Sequence, residues 1–519
     1  MTTRALTLRG GTYPVVLPNL RDPRLHVAAV IITIHVLGQV ALGFVVSVPQ
    51  ILAAIGTCAA IEVALTFRQA RAIVWPASAM LTGSGVALIL RVVGTPVGDH
   101  WTTFAWPVYA AVAGLSLLSK YVIRYRGSHV FNPSNVGLVV TFVVLGTSRV
   151  EPLDFWWAPL GPAMATAYAV ILIGGLLITR RLRLLALAAT FWVTFTAGVG
   201  VLAASGHCMT ATWAFSPVCG FDFWRVVVTS PEVLIFLFFM ITDPKTVPGG
   251  QVGRVVFGFL VAIVSTLLLA PQTDEFGTKV GLLAGLVALC AVRPLLDRVL
   301  PVAGSAADDL RRLLPRRHPR RLAARVGVAV AGLVVVGAGV VVAGTPARGT
   351  VVPDPAEILA RTPTAVDPGT LPPITVEQPV IDFDPRFLGD EAQVAAVTLV
   401  QNLELENQAL LRRDPSILTA ADHGDRLDEM QARVAAAASS GTVEIDHYQF
   451  SSLDLTLIRP FGKQVSLSLG LVAKGTVDRE IYDATGAVVS RRSEPFSQTF
   501  VMRRVTDARW LNVGVLPAP

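Results

Sequence analysis

The chain has 519 residues, 53% of them apolar and only 15% charged, with a mean hydropathy of +0.59. Soluble domains carry about a quarter charged residues, so a water-soluble enzyme is excluded, and apolar material this abundant excludes disorder as the main state. The 43 basic and 36 acidic side chains leave +7; the excess falls in short clusters between apolar runs, which points to the polar face of a membrane and not to nucleic acid.

In chain order, residues 1–24 read as a cytoplasmic segment holding Arg4, Arg9, Arg21 and Arg24, with no cleavage site ahead of the first apolar run. Ten runs long enough for about 30 Å of hydrocarbon fill residues 25–297. They lie near 26–47, 49–67, 72–93, 104–119, 135–148, 159–178, 184–204, 226–242, 255–270 and 280–296. The arginine-rich loop 298–325 reads as a positive-inside anchor, each cation adding about 1 kcal/mol against anionic lipid. An eleventh span follows at 326–344. With the N-terminus inside, Arg68, Arg71, Lys120, Arg124, Arg126, Arg180, Arg181, Arg183 and the loop from Lys245 to Arg254 all fall on the cytoplasmic side. The outside loops hold single cations such as Arg149 and Lys279, so residues 345–519 are expected outside the cytoplasm, on a multi-pass protein of the cell membrane.

Residues 345–380 form a proline-rich linker, with Pro346, Pro353, Pro355, Pro363, Pro368, Pro372 and Pro373, and such a segment acts as a semi-stiff spacer. Residues 381–519 have soluble composition. Helical spacing covers Glu391 to Asp414, and a second helix is expected from Gly424 to Ala438. Alternation then takes over in Thr442–Phe450, Leu453–Ile458, Val465–Lys474, Arg479–Tyr482 and Phe496–Arg504, closing on Trp510–Val513. Helices followed by an antiparallel meander indicate a small α+β domain, similar in pattern to the NTF2-like or cystatin-like class. His423 and His447 are single and no nucleophile–base pair stands out, so the domain is expected to bind a protein or a small ligand.

Three polar sequences interrupt the apolar runs. Leu81-Thr82-Gly83-Ser84-Gly85 lies in the third span, where two glycines and two hydroxyls weaken a helix unless neighbours or a ligand satisfy the freed backbone. Ser128-His129-Val130-Phe131-Asn132-Pro133-Ser134-Asn135 opens the fifth; Asn132 is a good N-cap and Pro133 suits the first helical position. A helix N-terminus of this kind favours an anion such as phosphate. Ile241-Thr242-Asp243-Pro244-Lys245-Thr246 closes the eighth span and repeats the Asx-Pro-polar-polar arrangement. Discontinuous spans commonly form the site in membrane proteins, so Thr82, Ser84, Arg126, Asn132, Ser134, Asn135, Asp243, Lys245 and Thr246 are the ligand-site candidates. Spans three and eight also share a proline near their start, Pro76 and Pro231, which hints at two inverted five-helix halves.

The segment Lys120 to Gly137, with T-G-S-G-V-A-L-I-L at 82–90 and F-F-M-I-T-D-P-K-T at 238–246, resembles the NqrB/RnfD family of membrane redox subunits. It is closest in phrasing to the UnbU-type branch associated with enediyne biosynthesis. The resemblance spans residues 25–300. It implies ten spans in two inverted repeats of a urea-transporter-like core, working with other membrane redox or transport subunits in a flavin-based complex that couples electron transfer to ion movement. Family members carry FMN on a threonine of a Ser-Gly-Ala-Thr segment. Here that segment is absent, the nearest approach being Met209-Thr210-Ala211-Thr212, so covalent FMN is not expected. A noncovalent flavin, FMN or riboflavin, would place its phosphate at a helix N-terminus and its ring among Trp101, Trp106, Trp156 or Trp157.

Ionisable residues inside spans are costly and become functional candidates: His35, Glu62, Arg91 and Glu232. Glu62 and Glu232 are candidates for an ion path; a Glu62–Arg91 pair is the static alternative for the first, and a solvated helix end for the second. Cys208 and Cys219, in one outside loop, are expected to form a disulfide, whereas Cys58 and Cys290 read as packing residues. No metal site and no catalytic turnover by this chain alone are expected. The function expected is a membrane subunit for flavin-linked electron transfer or ion-coupled transport; a small-molecule transporter without flavin and an anchored binding protein are the alternatives.

Overall fold

A backbone in hydrocarbon must satisfy its own hydrogen bonds, so long apolar runs become helices. The computed structural model describes residues 2–8, 11–19, 21–96, 98–153, 161–211, 217–299, 319–348, 355–364, 366–458, 468–483, 485–506 and 509–517. Two compact units result, residues 1–207 with 219–348, and residues 349–519 with 208–218. Among the described residues seven helices are long and apolar enough to cross a membrane: Pro23–Val40, Val48–Ala70, Pro162–Arg181, Leu185–Ala204, Gly220–Met240, Gln251–Leu269 and Glu275–Arg298.

The first unit opens with a hairpin of β1 (Thr2–Leu8) and β2 (Gly11–Leu17), joined in parallel by β3 (Ile73–Val74). Its helices are α1 (Pro23–Val40), α2 (Val48–Ala70), α3 (Ala77–Ile89), α4 (Trp106–Val122), α5 (Pro133–Leu145), α6 (Pro162–Arg181) and α7 (Leu185–Ala204). After them come α8 (Gly220–Thr229), α9 (Pro231–Ile235), α10 (Gln251–Leu269) and α11 (Glu275–Val299). A last helix, Pro319–Ala343, takes in the end of the arginine-rich loop; residues 300–318 of that loop lie outside the described residues.

Helices α3 and α5 have 13 residues each, about 20 Å of helix. Each runs on into a short strand, β4 (Leu90–Val92) after α3 and β7 (Val150–Pro152) after α5. These two strands pair antiparallel with Arg91 opposite Glu151, so the backbone groups freed at the helix ends find partners. The Gly83-Ser84-Gly85 segment does not break α3, which is continuous through it. Glycine serves close packing there: a Cβ on Gly83 would lie 2.5 Å from the Ala54 carbonyl oxygen of α2. The interruption falls instead in the eighth expected span. Ser230 caps α9 by accepting from the Val233 amide at 3.2 Å, Pro231 takes the first position, and a π-helical turn, Phe236–Met240, follows.

Packing within this unit is ordered. Helix α2 lies on α3 and α4, and α4 on α5; α7 lies on α8 and α10, and α10 on α11. Contacts of α1 with α6 and of α5 with α11 join the two sets. Between α4 and α5 runs a hairpin of β5 (Arg124–Tyr125) and β6 (Ser128–His129), and between α7 and α8 the strands β8 (Cys208–Met209) and β9 (Val218–Cys219).

The second unit is sheet-rich. Strands β10 (Ile374–Val376), β11 (Val443–Ile458), β12 (Ser468–Tyr482), β13 (Val488–Thr506) and β14 (Arg509–Pro517) lie side by side in that order. All neighbours are antiparallel except β10, which pairs parallel to β11 with Ile374 opposite Leu453. The edge strand β10 lies within the stretch taken as spacer. A register shift between Phe450 and Ser452 lets two expected strands run as one. The helix Glu391–Arg412 buries Ala392, Ala395, Ala396, Leu399 and Leu403 with Leu453, Leu471, Phe500 and Trp510 of the sheet. The helix Asp425–Ser440 closes a second apolar cluster through Met430, Val434 and Ala437.

Candidate functional site

Asn132 caps α5 as its sequence requires. Its Oδ1 accepts from the Asn135 amide at 3.2 Å and from Ser134 Oγ at 2.9 Å, and Pro133 occupies the first turn. Its Nδ2 donates to the Met240 carbonyl at 3.2 Å, at the end of the π turn. Three residues earlier, the ring Nε2 of buried His129 is hydrogen-bonded to Asp243 Oδ2 at 2.9 Å. The second and third motifs therefore meet, through one charge-capable pair and one side chain to backbone bond. Asn135 Nδ2 donates to the Leu283 carbonyl of α11 at 3.0 Å, which ties in a third element.

The first motif reaches this cluster by contact only. A Cβ on Gly85 would lie 3.3 Å from Ser134 Oγ, so the bare backbone of α3 is what admits Ser134. Ser84 Oγ is 3.2 Å from His35 Nε2, and Thr82 Oγ1 donates back to the Ser78 carbonyl at 3.2 Å. The turn after the π helix is built by Asp243, whose Oδ1 accepts the Lys245 amide at 3.0 Å and whose carbonyl accepts Thr246 Oγ1 at 3.1 Å. Thr246 is buried, but Lys245 and Arg126 are exposed. Arg126 sits at φ 47° in the β5–β6 turn with its guanidinium over the Tyr125 ring, and does not join the cluster.

The α5 N-terminus is a poor phosphate site. Pro133 has no amide hydrogen, Asn132 Oδ1 takes the Asn135 amide, and the Val136 amide donates to the Asn132 carbonyl at 3.1 Å. One amide at most, that of Ser134, remains for an anion. Trp101 and Trp106 are exposed, and Trp156 and Trp157 lie outside the described residues. These residues do not fit FMN held by its phosphate.

The charged candidates have partners other than those expected. Glu62 is not paired with Arg91: both its oxygens lie 3.1 Å from Lys120 Nζ, and it also accepts from the Tyr121 hydroxyl. Arg91 instead meets Glu151 at 2.9 Å across the β4–β7 ribbon. Helix geometry explains both, since Lys120 on α4 faces α2, whereas Arg91 lies beyond the end of α3 in a strand. Glu232 is not a solvated helix end. Its side chain is 13% exposed and lies 3.5 Å from Lys279 Nζ, which is in turn 2.7 Å from Glu275 one helical turn away on α11. Lys279, taken from sequence as a loop cation, is buried; the Glu275-x-x-x-Lys279 spacing at the head of an apolar helix was the available signal.

Cys208 and Cys219 are disulfide-bonded, and Cys58 and Cys290 are buried free thiols. No family profile matches this chain, and no curated protein matches it.

Proposed function

We propose that the chain is the membrane subunit of an ion-coupled transport or electron-transfer complex, built on two inverted halves. The carrying observation is a pair of matched contacts. Gly137 of α5 meets Ser116 of α4 so closely that a Cβ would lie 1.7 Å from Ser116 Oγ, and Gly285 of α11 meets Ser265 of α10 with 2.0 Å to its Oγ. Asn135, two residues before Gly137, donates to the carbonyl of Leu283, two residues before Gly285. Residues in corresponding places of the two sets thus touch each other, as they would about a two-fold axis. Such repeats place binding sites at interrupted spans between the halves, and here the interruptions are linked by His129–Asp243 and Asn132–Met240.

The distribution of lysine and arginine supports a cytoplasmic N-terminus and an extracytoplasmic C-terminal domain. A disulfide at Cys208 and Cys219, in a loop assigned outside by the same count, agrees with an oxidising compartment there. The C-terminal domain is the module for a partner protein or small ligand, and other membrane subunits complete the complex.

The test is ion movement into vesicles holding the purified full chain with its membrane partners. Asp243→Ala and His129→Ala each remove the His129–Asp243 contact and are expected to reduce the flux at least tenfold; unchanged flux in both overturns the reading. The visible spectrum of the same preparation decides the branch. A colourless folded protein assigns it to transport, and a yellow chromophore released by denaturation assigns it to electron transfer.

A further inference from the structure

The two bonds that join the second and third motifs differ in kind. Asn132 Nδ2 donates to the Met240 carbonyl, a neutral contact that pH does not alter. His129 Nε2 lies 2.9 Å from Asp243 Oδ2, the side chains being 8% and 20% exposed, and this contact can gain a charge. Histidine is the side chain whose ordinary charge change falls between about pH 5 and pH 8. A carboxylate only accepts, so Nε2 carries the hydrogen of the neutral ring and donates it to Asp243. Nδ1 is then the bare nitrogen, and it makes no hydrogen bond among the described residues. Asp243 is fixed from its own turn, its Oδ1 accepting the Lys245 amide at 3.0 Å, which leaves Oδ2 for the ring.

The charged and titratable groups on the surrounding elements are engaged elsewhere. On α4, Lys120 and Tyr121 bond Glu62. In the hairpin, Arg124 donates to the Gly127 carbonyl and Arg126 lies over Tyr125. Arg254 of α10 donates to the Pro248 and Arg183 carbonyls. On α11, Arg293 donates to the Lys245 carbonyl and lies 3.4 Å from Asp297, while the Cys290 thiol is buried. Lys245 is exposed.

We infer that His129 is a proton-binding site of the membrane unit, and that its proton sets how firmly the turn at Asp243 is held to the β5–β6 hairpin. The inference rests on the ion-coupled reading above and names its ion. Loading forms one N–H bond at Nδ1 at the expense of one O–H bond of a hydronium ion. The ring passes from neutral to one positive charge, and Asp243 stays a carboxylate. The Nε2 hydrogen bond then gains the attraction of opposite unit charges, which is stronger at a mostly buried place than in water. Release of the proton removes that attraction and leaves the neutral Asn132–Met240 bond to hold the two motifs. The turn follows directly on the π turn Phe236–Met240, so the proton acts on the interrupted span itself. π turns inside helices occur frequently at functional sites.

The test is exchange of the ring C2 hydrogen for deuterium in the full chain in detergent, read by mass spectrometry on the peptide that holds His129. The rate climbs with pH and levels off once the ring is neutral, so its midpoint gives the proton affinity. A midpoint between about pH 5 and pH 8 is expected. Asp243→Asn keeps an acceptor for Nε2 and loses the charge; there the affinity falls at least tenfold, about one pH unit, while the midpoint of His447 in the other unit does not move. Absence of a midpoint in that range, or one that Asp243→Asn leaves in place, overturns the assignment. Should the variant fail to fold, backbone amide exchange of the wild-type chain decides. Corrected for the intrinsic effect of pH, protection of the 241–250 turn is expected to fall at least threefold as pH passes the His129 midpoint, and protection that ignores the midpoint overturns the assignment. Both readouts report proton binding without transport. A ring that titrates with no vesicle flux would overturn the functional reading and leave the proton site standing; flux with a ring that does not titrate would do the reverse.

Discussion

Two buried clusters, one in each unit, set carboxylates beside a cation. Among the helices they are Glu232, Glu275 and Lys279; in the C-terminal domain they are Glu406, Asp422 and Arg426, with the exposed Glu429 3.1 Å from the same guanidinium. The second is enclosed by hydrogen bonds. Arg426 grips both oxygens of Glu406, Nε at 3.1 Å and NH2 at 2.5 Å, and Asn512 Nδ2 donates to Oε1 at 3.0 Å. Asn402 Nδ2 donates to Asn512 Oδ1 at 3.2 Å, while Arg509 holds the Asn402 oxygen at 2.7 Å. The main chain around Asp422 is stitched to β14, the His423 amide donating to the Asn512 carbonyl at 2.8 Å. Burial, and then the Glu406 carboxylate, raise the Asp422 pKa well above its ordinary value, so this acid holds its proton. Burial also pushes Glu406 upward, but Arg426 and the hydrogen bonds outweigh it and hold that carboxyl below the usual range. A closed shell thus gives a fixed, structural proton. The cluster among the helices instead borders a water-sized cavity.

The largest effect expected from this contrast is on stability. Arg426→Met strands the Glu406 carboxylate in a dry shell, and loss of one partner of a buried pair costs about 3–5 kcal/mol. Lys279→Met, at a cluster that borders a water-sized cavity, is expected to cost less, because water there can solvate the carboxylates. Denaturant titration of the full chain, read by protease protection of each unit, compares them. Equal losses would erase the distinction between a closed and an open cluster.

A smaller effect sharpens the same contrast through pH. Below the ordinary carboxylate pKa, Asp422 is protonated in both folded and unfolded chains. As pH rises, the unfolded chain sheds the proton first and the folded one keeps it, so stability falls until the raised folded pKa is passed. Glu406 has the opposite sign: its contribution is present above the ordinary value and is lost as pH falls through the lowered one. Burial, and then Arg503, lower His423, which adds a loss as pH falls through its folded value. Melting temperature against pH is therefore expected to flatten on the alkaline side in Asp422→Asn and to stay unchanged on the acid side. An alkaline decline of wild-type size in Asp422→Asn would show that another group carries it.

What could be seen in the sequence follows the range of each interaction. The Asn132-Pro133 cap was legible because a cap bonds an amide three residues on. The helices starting at Glu391 and Asp425 were legible from apolar periodicity, and the strands from alternation. The Gly83-Ser84-Gly85 segment was not, because the reason for its glycine is the Ala54 carbonyl of another helix. The partner of Glu62 lies 58 residues away on α4, and no local pattern names it. Strand β10 was hidden among prolines, since a parallel edge partner leaves no mark in its own three residues. Lys279 was counted with the loops because charge was weighed by position along the chain, not by the helix that receives it.

The smallest effect concerns one asparagine in each unit. Asn132 caps α5 and bonds the Met240 carbonyl, and Asn512 bridges Asn402 and Glu406. Loss of a cap costs about 1 kcal/mol, so Asn132→Ala is expected to lower stability by about that amount, read as a small shift in the thermal midpoint of the detergent-solubilised chain. Asn132→Asp separates the two roles, because it retains an oxygen for the Asn135 amide and loses the donor to Met240. If the bond from α5 to the π turn matters more than the cap for the proposed transport, Asn132→Asp loses ion movement like Asn132→Ala while keeping most of the stability. Asn512→Ala, within the closed cluster, is expected to lower stability and leave ion movement as it was. A flux defect in Asn512→Ala would mean that the two clusters are not independent, and the contrast between them would have to be redrawn as coupling.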